Sequence, residues 1–293
     1  MRSDERGIPG RIDLGPDSLL WRWAGAGRIA YLGGTIGLLQ TMHPAVGAGL
    51  VEHSDFFDDP VDRVFRSLPS ILGVVYDEQA EGTGHWVRDA HRSIRGNDDG
   101  QGNRYHALDP ETFWWAHATF QFMVEQVADR FDRHRLTRTQ REQLYREGIE
   151  WYRRYGVSDR PVPPTRDAFE EKWNHICDTV LERNAATEFV LDSLHQPLLP
   201  AFDGRAPLPP QLHRLADARL VRRALSRPAR LVAIGGLPAR VRDRLRIPWS
   251  RTDQLQLDII EWVVARTHRF APASMRWQPR AAEGWRRTTG AVP

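Results

Sequence analysis

Helix signals recur along this chain from about residue 17 to residue 270, whereas strand signals are nearly absent. Capping residues or prolines open several apolar segments, as at Pro44, Asp59-Pro60 and Asp109-Pro110. The sequence has no run of alternating β-branched residues, and it has no Asn-Gly or Asp-Gly turn between apolar segments. It therefore gives no sign of a hairpin. Helices without a sheet must bury their apolar faces against one another, so the sequence predicts an all-α fold.

The apolar patterning predicts individual helices that we expect to pack at angles in one domain. These predicted helices cover residues 18–26, 28–42, 44–53, 60–76, 84–94, 110–131, 165–183, 212–225, 238–245 and 251–269. Thr139 and Glu142 form a capping-box pattern that predicts the start of a further helix, ending near residue 155. Because no charge-rich linker divides the apolar sequence, we expect one multi-helix domain over 15–275, a flexible segment over 1–14 and an extended tail over 276–293.

The charge balance argues against a nucleic-acid partner. The chain has 41 Lys and Arg against 38 Asp and Glu, and Lys172 is its single lysine. The arginines are dispersed among acidic residues, so the basic stripe of a nucleic-acid-binding protein is missing. Arginine-rich surfaces instead favour bidentate contacts with carboxylates and phosphates.

The cysteine count and the amino terminus bear on compartment and cofactor attachment. Cys177 is the single cysteine, which excludes a disulfide, a cysteine-based zinc site, an iron–sulfur cluster and covalent c-type haem attachment. We interpret it as a buried, inert thiol, with a catalytic thiol as the alternative. The charged start of the sequence lacks the form of a secretory signal, so we expect a cytoplasmic protein.

Residues 29–51 contain no charged side chain and are long enough to span a bilayer. The segment nevertheless contains five glycines, a glutamine and the His43-Pro44 pair, which make it a poor spanning helix. Two short buried helices that meet at His43-Pro44 fit better. We therefore expect no stable membrane insertion.

The eleven histidines are the main candidates for catalytic or metal-binding residues. The motifs of several well-known catalytic and metal sites are absent from the sequence. No His-Glu-x-x-His run indicates a zinc protease, and no paired Glu-x-x-His motifs indicate a di-iron bundle. Nucleophile elbows and phosphate-binding Gly-x-x-x-x-Gly-Lys loops are missing too.

His91 is the histidine with the most distinctive surroundings. Arg88 and Arg95 precede and follow it by three and four residues, which places all three on one face of the predicted helix. That arrangement suits a porphyrin, because an imidazole can ligate iron while arginines meet the propionates. The spacing alone also fits a surface helix whose arginines are solvated.

Other polar residues are weaker candidates for an interior site. His117 and Thr119 lie in a helix with aromatic residues on almost every side, where an ordinary buried histidine is the alternative to a ligand. Arg63 and Ser67 are four residues apart and could face a pocket together or form an ordinary half-buried pair. His43 precedes Pro44 at a helix junction, where it could project inward or cap.

The order of these motifs resembles the oxygenase MpaB family, whose distant relatives include the latex-clearing proteins, or rubber oxygenases. The resemblance covers about residues 15–275. Its motifs are Leu38-Leu-Gln-x-x-His43-Pro44, His53-Ser54, Asp59-Pro60-x-x-Arg63, Val87-Arg88-x-x-His91-x-x-Ile94-Arg95-Gly96, Tyr105-x-Ala107-x-Asp109-Pro110, Trp115-Ala-His117-Ala-Thr119 and Leu237-Pro238.

The resemblance implies globin-like helical packing around a non-covalent haem b. His91 would be the axial ligand of the iron, with Arg88 and Arg95 at the propionates and with His117 and Thr119 lining or bracing the pocket. Arg63 and Ser67 match the Arg-x-x-x-Thr element near the haem of the rubber oxygenases, with serine in place of threonine.

The region that supplies a distal lysine ligand in some rubber oxygenases holds no lysine here, since Lys172 lies far along the chain. The sixth iron position would therefore be open or held by His43. Arg63, Ser67 and His43 are our candidate catalytic residues, as groups that could hydrogen-bond bound oxygen.

The family resemblance implies a haem-dependent oxygenase that acts with dioxygen on an apolar small molecule, such as an isoprenoid or another alkene. Two alternatives remain open at this point. The protein could bind haem or a hydrophobic ligand without turnover, or it could be a haem-free family member with a structural role.

Overall fold

Helices pack around an aromatic interior in this protein, which we describe from a computed structural model. The structure describes residues 7–58, 60–200 and 210–293, without the side chains of 60–65 and 210. Within these ranges most residues are helical, and the sheet content is a single antiparallel pair of two-residue strands. The predicted all-α, single-domain fold is confirmed.

The α-helices are numbered here in chain order. They are α1 (Leu19–Ala24), α2 (Gly33–Thr41), α3 (Pro44–His53), α4 (Pro60–Tyr76), α5 (Ala80–Ala90), α6 (Pro110–Arg130), α7 (Arg138–Arg153), α8 (Arg166–Thr179), α9 (Ala185–His195), α10 (Pro210–Ala216), α11 (Arg219–Gly235), α12 (Ala239–Arg244), α13 (Arg251–Thr267), α14 (Ala273–Arg276) and α15 (Pro279–Thr289). Two short 3₁₀ helices cover Gly27–Leu32 and His268–Phe270. The strands are β1 (Arg95–Gly96) and β2 (Tyr105–His106).

The charge-free segment 29–51 forms short helices, as predicted. A 3₁₀ helix leads into α2, and Pro44 opens α3 as its first residue. Gly47 of α3 packs so closely on Asn184 that a Cβ would overlap the amide, and this amide donates to the Thr41 carbonyl at 2.8 Å. In the part of the chain that the structure describes, no helix has the length and apolar character needed to cross a bilayer.

Helix α6 runs through the interior and carries large side chains in several directions. Asp109 caps it by accepting hydrogen bonds from the first-turn amides, and Pro110 occupies its first position. On one side Trp115 stacks against Trp173 of α8, with ring centroids 4.9 Å apart. On another side His117 meets the aromatic side chains of α7. This distribution matches the buried helix that the sequence predicts.

Helices α4 and α5 form an antiparallel hairpin joined at residues 77–79. Gly73 lies against Thr83, where an added Cβ would be 2.9 Å from Thr83 Cγ2. Further along α5, Gly84 lies directly against the main chain of Arg154, just after the end of α7. Farther from the turn, Pro69 and Ser70 of α4 line the same groove as Trp86 of α5.

Three local predictions are wrong. The capping box that opens α7 uses Thr137 and Gln140 and not Thr139 and Glu142. Helix α11 continues through Pro228 to Gly235, well beyond the predicted end at residue 225. The residues after 275, which we expected to be extended, include the helix α15, whose Trp285 side chain is buried.

Candidate functional site

His91 lies at the carboxyl-terminal cap of α5, where its backbone amide donates to the Arg88 carbonyl at 2.9 Å. Its side chain turns back along the helix, and Nδ1 is 2.7 Å from the Val87 carbonyl oxygen. A carbonyl can only accept, so Nδ1 carries a proton, and in the neutral ring Nε2 has the lone pair. Histidines that ligate metals are held in this way, with one ring nitrogen donating to a backbone carbonyl.

The ring of His91 is half-buried and stands edge-on to Phe113 of α6, with centroids 6.0 Å apart. Phe113 in turn meets Tyr152 and Tyr155 at 6.2 and 5.3 Å. An aromatic wall therefore separates His91 from the interior of the α6–α7 pair. The imidazole lies at the edge of the core.

Arg95 does not lie on the helix of His91, contrary to the prediction that Arg88, His91 and Arg95 share one helix face. Helix α5 ends at Ala90, and Arg95 belongs to β1, where it pairs with His106. Arg88 is anchored by its Nε, which donates to Asp89 Oδ1 at 2.8 Å, and by Nη1, which donates to the Gly156 carbonyl at 3.2 Å. Arg95 is exposed. Both cations still flank His91 in sequence, one on the last turn of the helix and one on the strand.

Two histidines that the sequence analysis left without a role fix the segment after His91. His53 Nε2 donates to the Arg95 carbonyl at 3.0 Å, and His106 Nε2 donates to the Arg92 carbonyl at 3.1 Å. Tyr105 adds a further contact in the same region, because its hydroxyl donates to Glu52 at 2.8 Å. Their spacing in the sequence gave no signal, because the contacts join residues of different elements.

His117 is fully enclosed between α6 and α7. Its Nε2 donates to the Gly148 carbonyl at 3.1 Å, and its ring lies 4.9 Å from Trp151 and 5.1 Å from Tyr152. Burial lowers the pKa of His117 to about 3, so the imidazole is neutral at physiological pH. These contacts give it a packing role, and its assignment to a cofactor stays a prediction.

Thr119 projects from α6 in a different direction from His117. Its hydroxyl donates to the Ala116 carbonyl at 2.7 Å and accepts from Gln40 Nε2 at 2.8 Å. This bond joins α6 to α2. The two residues that we expected to line one pocket therefore face different neighbours.

His43 occupies the amino-terminal cap position of α3 and packs its ring on Trp115, 6.1 Å between centroids. Its Nδ1 is buried and makes no hydrogen bond with the described residues. Burial lowers the pKa of His43 to about 4, against the opposing influence of Asp99 and Asp109. The structure thus provides a neutral imidazole with one unused ring nitrogen.

Ser67 lies in the first half of α4. Ser67 is half-buried. The side chain of Arg63 lies outside the described residues, although its backbone continues α4 one turn beyond Ser67.

Lys172 is engaged elsewhere. Its ammonium donates to Glu111 at 2.6 Å and to the Pro161 carbonyl at 2.7 Å, and it lies 4.1 Å from the centre of the Trp114 ring. The contacts with Glu111 and Trp114 hold this lysine of α8 against the start of α6.

The donor set at His91 fits the proximal side of a haem. The tautomer leaves the lone pair on Nε2, and guanidiniums lie on both sides of the residue along the chain. The fit rests on this chemistry and not on a cavity. A groove of about 420 Å³ between α4 and α5 reaches Thr83 and Trp86, and a cleft of about 580 Å³ lies beside Arg11 and Glu150, but neither includes His91.

Comparison with known proteins gives one finding. The family model described as "ER-bound oxygenase mpaB/B'/Rubber oxygenase, catalytic domain" matches residues 21–271. No curated protein and no solved structure matches the chain. The matched range includes the α4–α5 hairpin, His91 and the central helix α6.

Proposed function

Because the chain belongs to the family of MpaB and rubber oxygenase catalytic domains, we propose that it is a haem b-dependent oxygenase that acts on an apolar small molecule with dioxygen. An alkene or isoprenoid is the substrate class that we favour. The observation that carries the proposal is the hydrogen bond from His91 Nδ1 to the Val87 carbonyl, which directs the lone pair to Nε2.

When bound, the haem would supply the iron chemistry that activates dioxygen, which no side chain of the protein can provide alone. His91 would ligate the iron through Nε2. Its bond to Val87 would hold the ring orientation and raise the basicity of the ligating nitrogen. Arg95 and Arg88 would neutralise the propionates, and for Arg88 this means exchanging its contacts with Asp89 and Gly156.

The opposite side of the site would be formed by the first half of α4. In this proposal Ser67 and the turn that carries Arg63 would reach the site from that half of α4. A hydroxyl can donate a hydrogen bond to oxygen, and a guanidinium can stabilise developing negative charge. His43 is the third candidate, because its buried neutral imidazole can hold a proton at one nitrogen and accept at the other.

Absorption spectroscopy of the purified protein tests the haem assignment. We expect a Soret band and a stoichiometric iron content in the wild type, and loss of the band in His91→Gly. Free imidazole should restore the band in that variant, because it can occupy the space of the deleted side chain. His134→Gly is the matched control, since 91% of that side chain is exposed and it should keep the band.

The same measurements separate the alternatives. A band that His91→Gly retains undiminished would show that another residue ligates the iron. A band without oxygen consumption in the presence of alkenes would identify a haem-binding protein without turnover. Protein that contains no iron after expression with excess haem would leave only the haem-free family member.

A further inference from the structure

Residues 210–230 expose an unusual number of leucines. This segment comprises α10 and the first half of α11, and we call it the basic arm. Leu220 is 82% exposed and Leu215 is 58% exposed, and Leu212 and Leu225 are exposed as well. Four exposed leucines within fourteen residues carry a cost in water that an isolated surface leucine does not.

The basic arm is also strongly charged. It contains six arginines and one acidic residue, Asp217, in a chain whose overall charge is nearly balanced. Arg214, Arg219 and Arg223 are exposed, and none of them forms an ion pair or a hydrogen bond with the described residues. Elsewhere on the surface arginines commonly meet carboxylates, as Arg183 does with Glu188 and Arg280 with Asp77.

The core does not need these leucines. Helix α11 becomes buried only from Leu231 onward, where residues Leu231–Gly235 pack against the interior. Before that point Arg219, Arg223 and Arg227 follow one another at intervals of four residues along one side of the helix. Leu220 lies next to this row, so apolar and cationic side chains share the outward surface.

We propose that the basic arm docks on the surface of an anionic lipid bilayer. Leucines that enter the boundary of the acyl chains beside arginines that meet lipid phosphates are the composition of an interfacial amphipathic helix. Each arginine near an anionic surface adds favourable binding energy. The arm lies flat and does not span the bilayer.

Other occupants fit these residues less well. A nucleic acid would use the guanidiniums but would leave the leucines in water. A protein partner or a second copy of this chain would favour a continuous apolar patch with charges at its rim, whereas here arginines alternate with leucines. The proposal does not depend on the presence of haem, since no residue of the arm belongs to the candidate site.

Vesicle flotation with the full-length protein tests the proposal. We expect binding to vesicles of phosphatidylcholine mixed with phosphatidylglycerol, weak binding to phosphatidylcholine alone, and a decrease as salt is raised. Arg219→Gln/Arg223→Gln should weaken binding to the anionic vesicles by about 30-fold. Leu215→Ser/Leu220→Ser should also weaken it, with a loss that persists at high salt.

Matched controls distinguish docking by the arm from general attraction. Arg133→Gln/Arg146→Gln removes the same charge from exposed positions elsewhere, and Val51→Ser removes an exposed aliphatic side chain of α3. Both should bind as the wild type does. Equal losses in the control and arm variants, or no binding to anionic vesicles, would overturn the proposal. So would a concentration-dependent dimer that the leucine substitutions abolish, or tighter binding to DNA than to the anionic vesicles.

Discussion

Burial is the main cause that holds three histidines of this protein neutral, His43, His117 and His268. His117 lies among the rings of α7, and its pKa falls to about 3. His43 is desolvated against Trp115, which lowers its pKa to about 4. Burial together with the positive charge of Arg28 lowers the pKa of His268 to about 4 as well. None can serve as a proton donor in the charged form at neutral pH, so His43 would act at the proposed site as a neutral hydrogen-bonding group.

The same burial predicts that the protein loses stability in mild acid. An unfolded imidazole takes up a proton near pH 6.5, whereas folded His117 remains neutral until about pH 3. Its contribution is complete above pH 6.5 and declines as the pH falls toward 3, by at most about 1.4 kcal/mol per pH unit. We expect His117→Gln to flatten the pH dependence of the unfolding free energy between pH 6.5 and 4, measured by urea denaturation.

His134→Gln is the control for this prediction, because the His134 side chain is exposed and should leave the slope unchanged. Glutamine at position 117 can still donate to the Gly148 carbonyl, so the comparison isolates the titration from the loss of a hydrogen bond. Identical slopes in the wild type and His117→Gln would show that folding does not lower the pKa of His117.

At the scale of the elements, a close backbone approach constrains the position of α5. Gly84 lies so close to the main chain of Arg154 that a Cβ would overlap the carbonyl, and main-chain atoms cannot move aside as a flexible side chain could. The helix is thereby seated against the end of α7, with His91 at its carboxyl terminus. Its seating determines where the proposed iron ligand lies.

We therefore predict that Gly84→Ala destabilises the protein by about 1–3 kcal/mol and lowers its haem content. Gly82→Ala provides a control on the same helix, since a Cβ there meets nothing closer than Gln79 Cβ at 3.9 Å. Alanine at 82 should be neutral or stabilising by up to about 1 kcal/mol, because it favours the helix. Thermal unfolding and the Soret absorbance measure both effects, and equal behaviour of the two variants would contradict the close seating of α5.

Local signals predicted elements where a single residue decides the outcome. Pro44 and Asp109-Pro110 gave the starts of α3 and α6 correctly. At α7, both Thr137 with Gln140 and Thr139 with Glu142 fit the capping pattern. A contact outside the motif favours Thr137 as the capping residue of α7. Asp129 accepts a hydrogen bond from the Leu136 amide, which fixes the chain just before Thr137.

Contacts between elements also explain why the site was only partly predictable. The identity of His91 as the candidate ligand follows from its motif, but the end of α5 at Ala90 depends on β1 pairing with β2 and on hydrogen bonds from His53 and His106. Helix α11 continues through Pro228, and the Ala224 carbonyl, which lacks a helical partner there, belongs to an exposed residue. The strand pairing, the two histidine hydrogen bonds and the continuation of α11 have no periodic signature in the sequence.

At the scale of the whole molecule, the two ends of the described chain meet beside α4. The Gln278 amide donates to the Gly25 carbonyl at 2.8 Å, and Ala26 forms a bridge with Trp277. The Tyr76 hydroxyl at the end of α4 donates to the Trp21 carbonyl at 2.6 Å. Helix α15 packs against α4 at this place, although the family match ends at residue 271. The segment beyond the match thus packs against the carboxyl-terminal end of α4.

Trp285 allows this last relationship to be tested. Its ring is 7% exposed and lies 5.5 Å from Trp21 and 5.6 Å from Trp277, so Trp285→Ala should open a cavity between the amino- and carboxyl-terminal segments and cost about 3–5 kcal/mol. Trp262→Ala is the matched control, because 57% of that residue is exposed and its removal should cost about 1 kcal/mol or less. Urea denaturation followed by circular dichroism gives both values. If α15 is part of the cooperative unit, Trp285→Ala lowers the midpoint of one transition that includes the whole helical signal. A separate early transition, with the main midpoint unchanged, would show instead that α15 unfolds independently of the helices that carry His91 and Ser67.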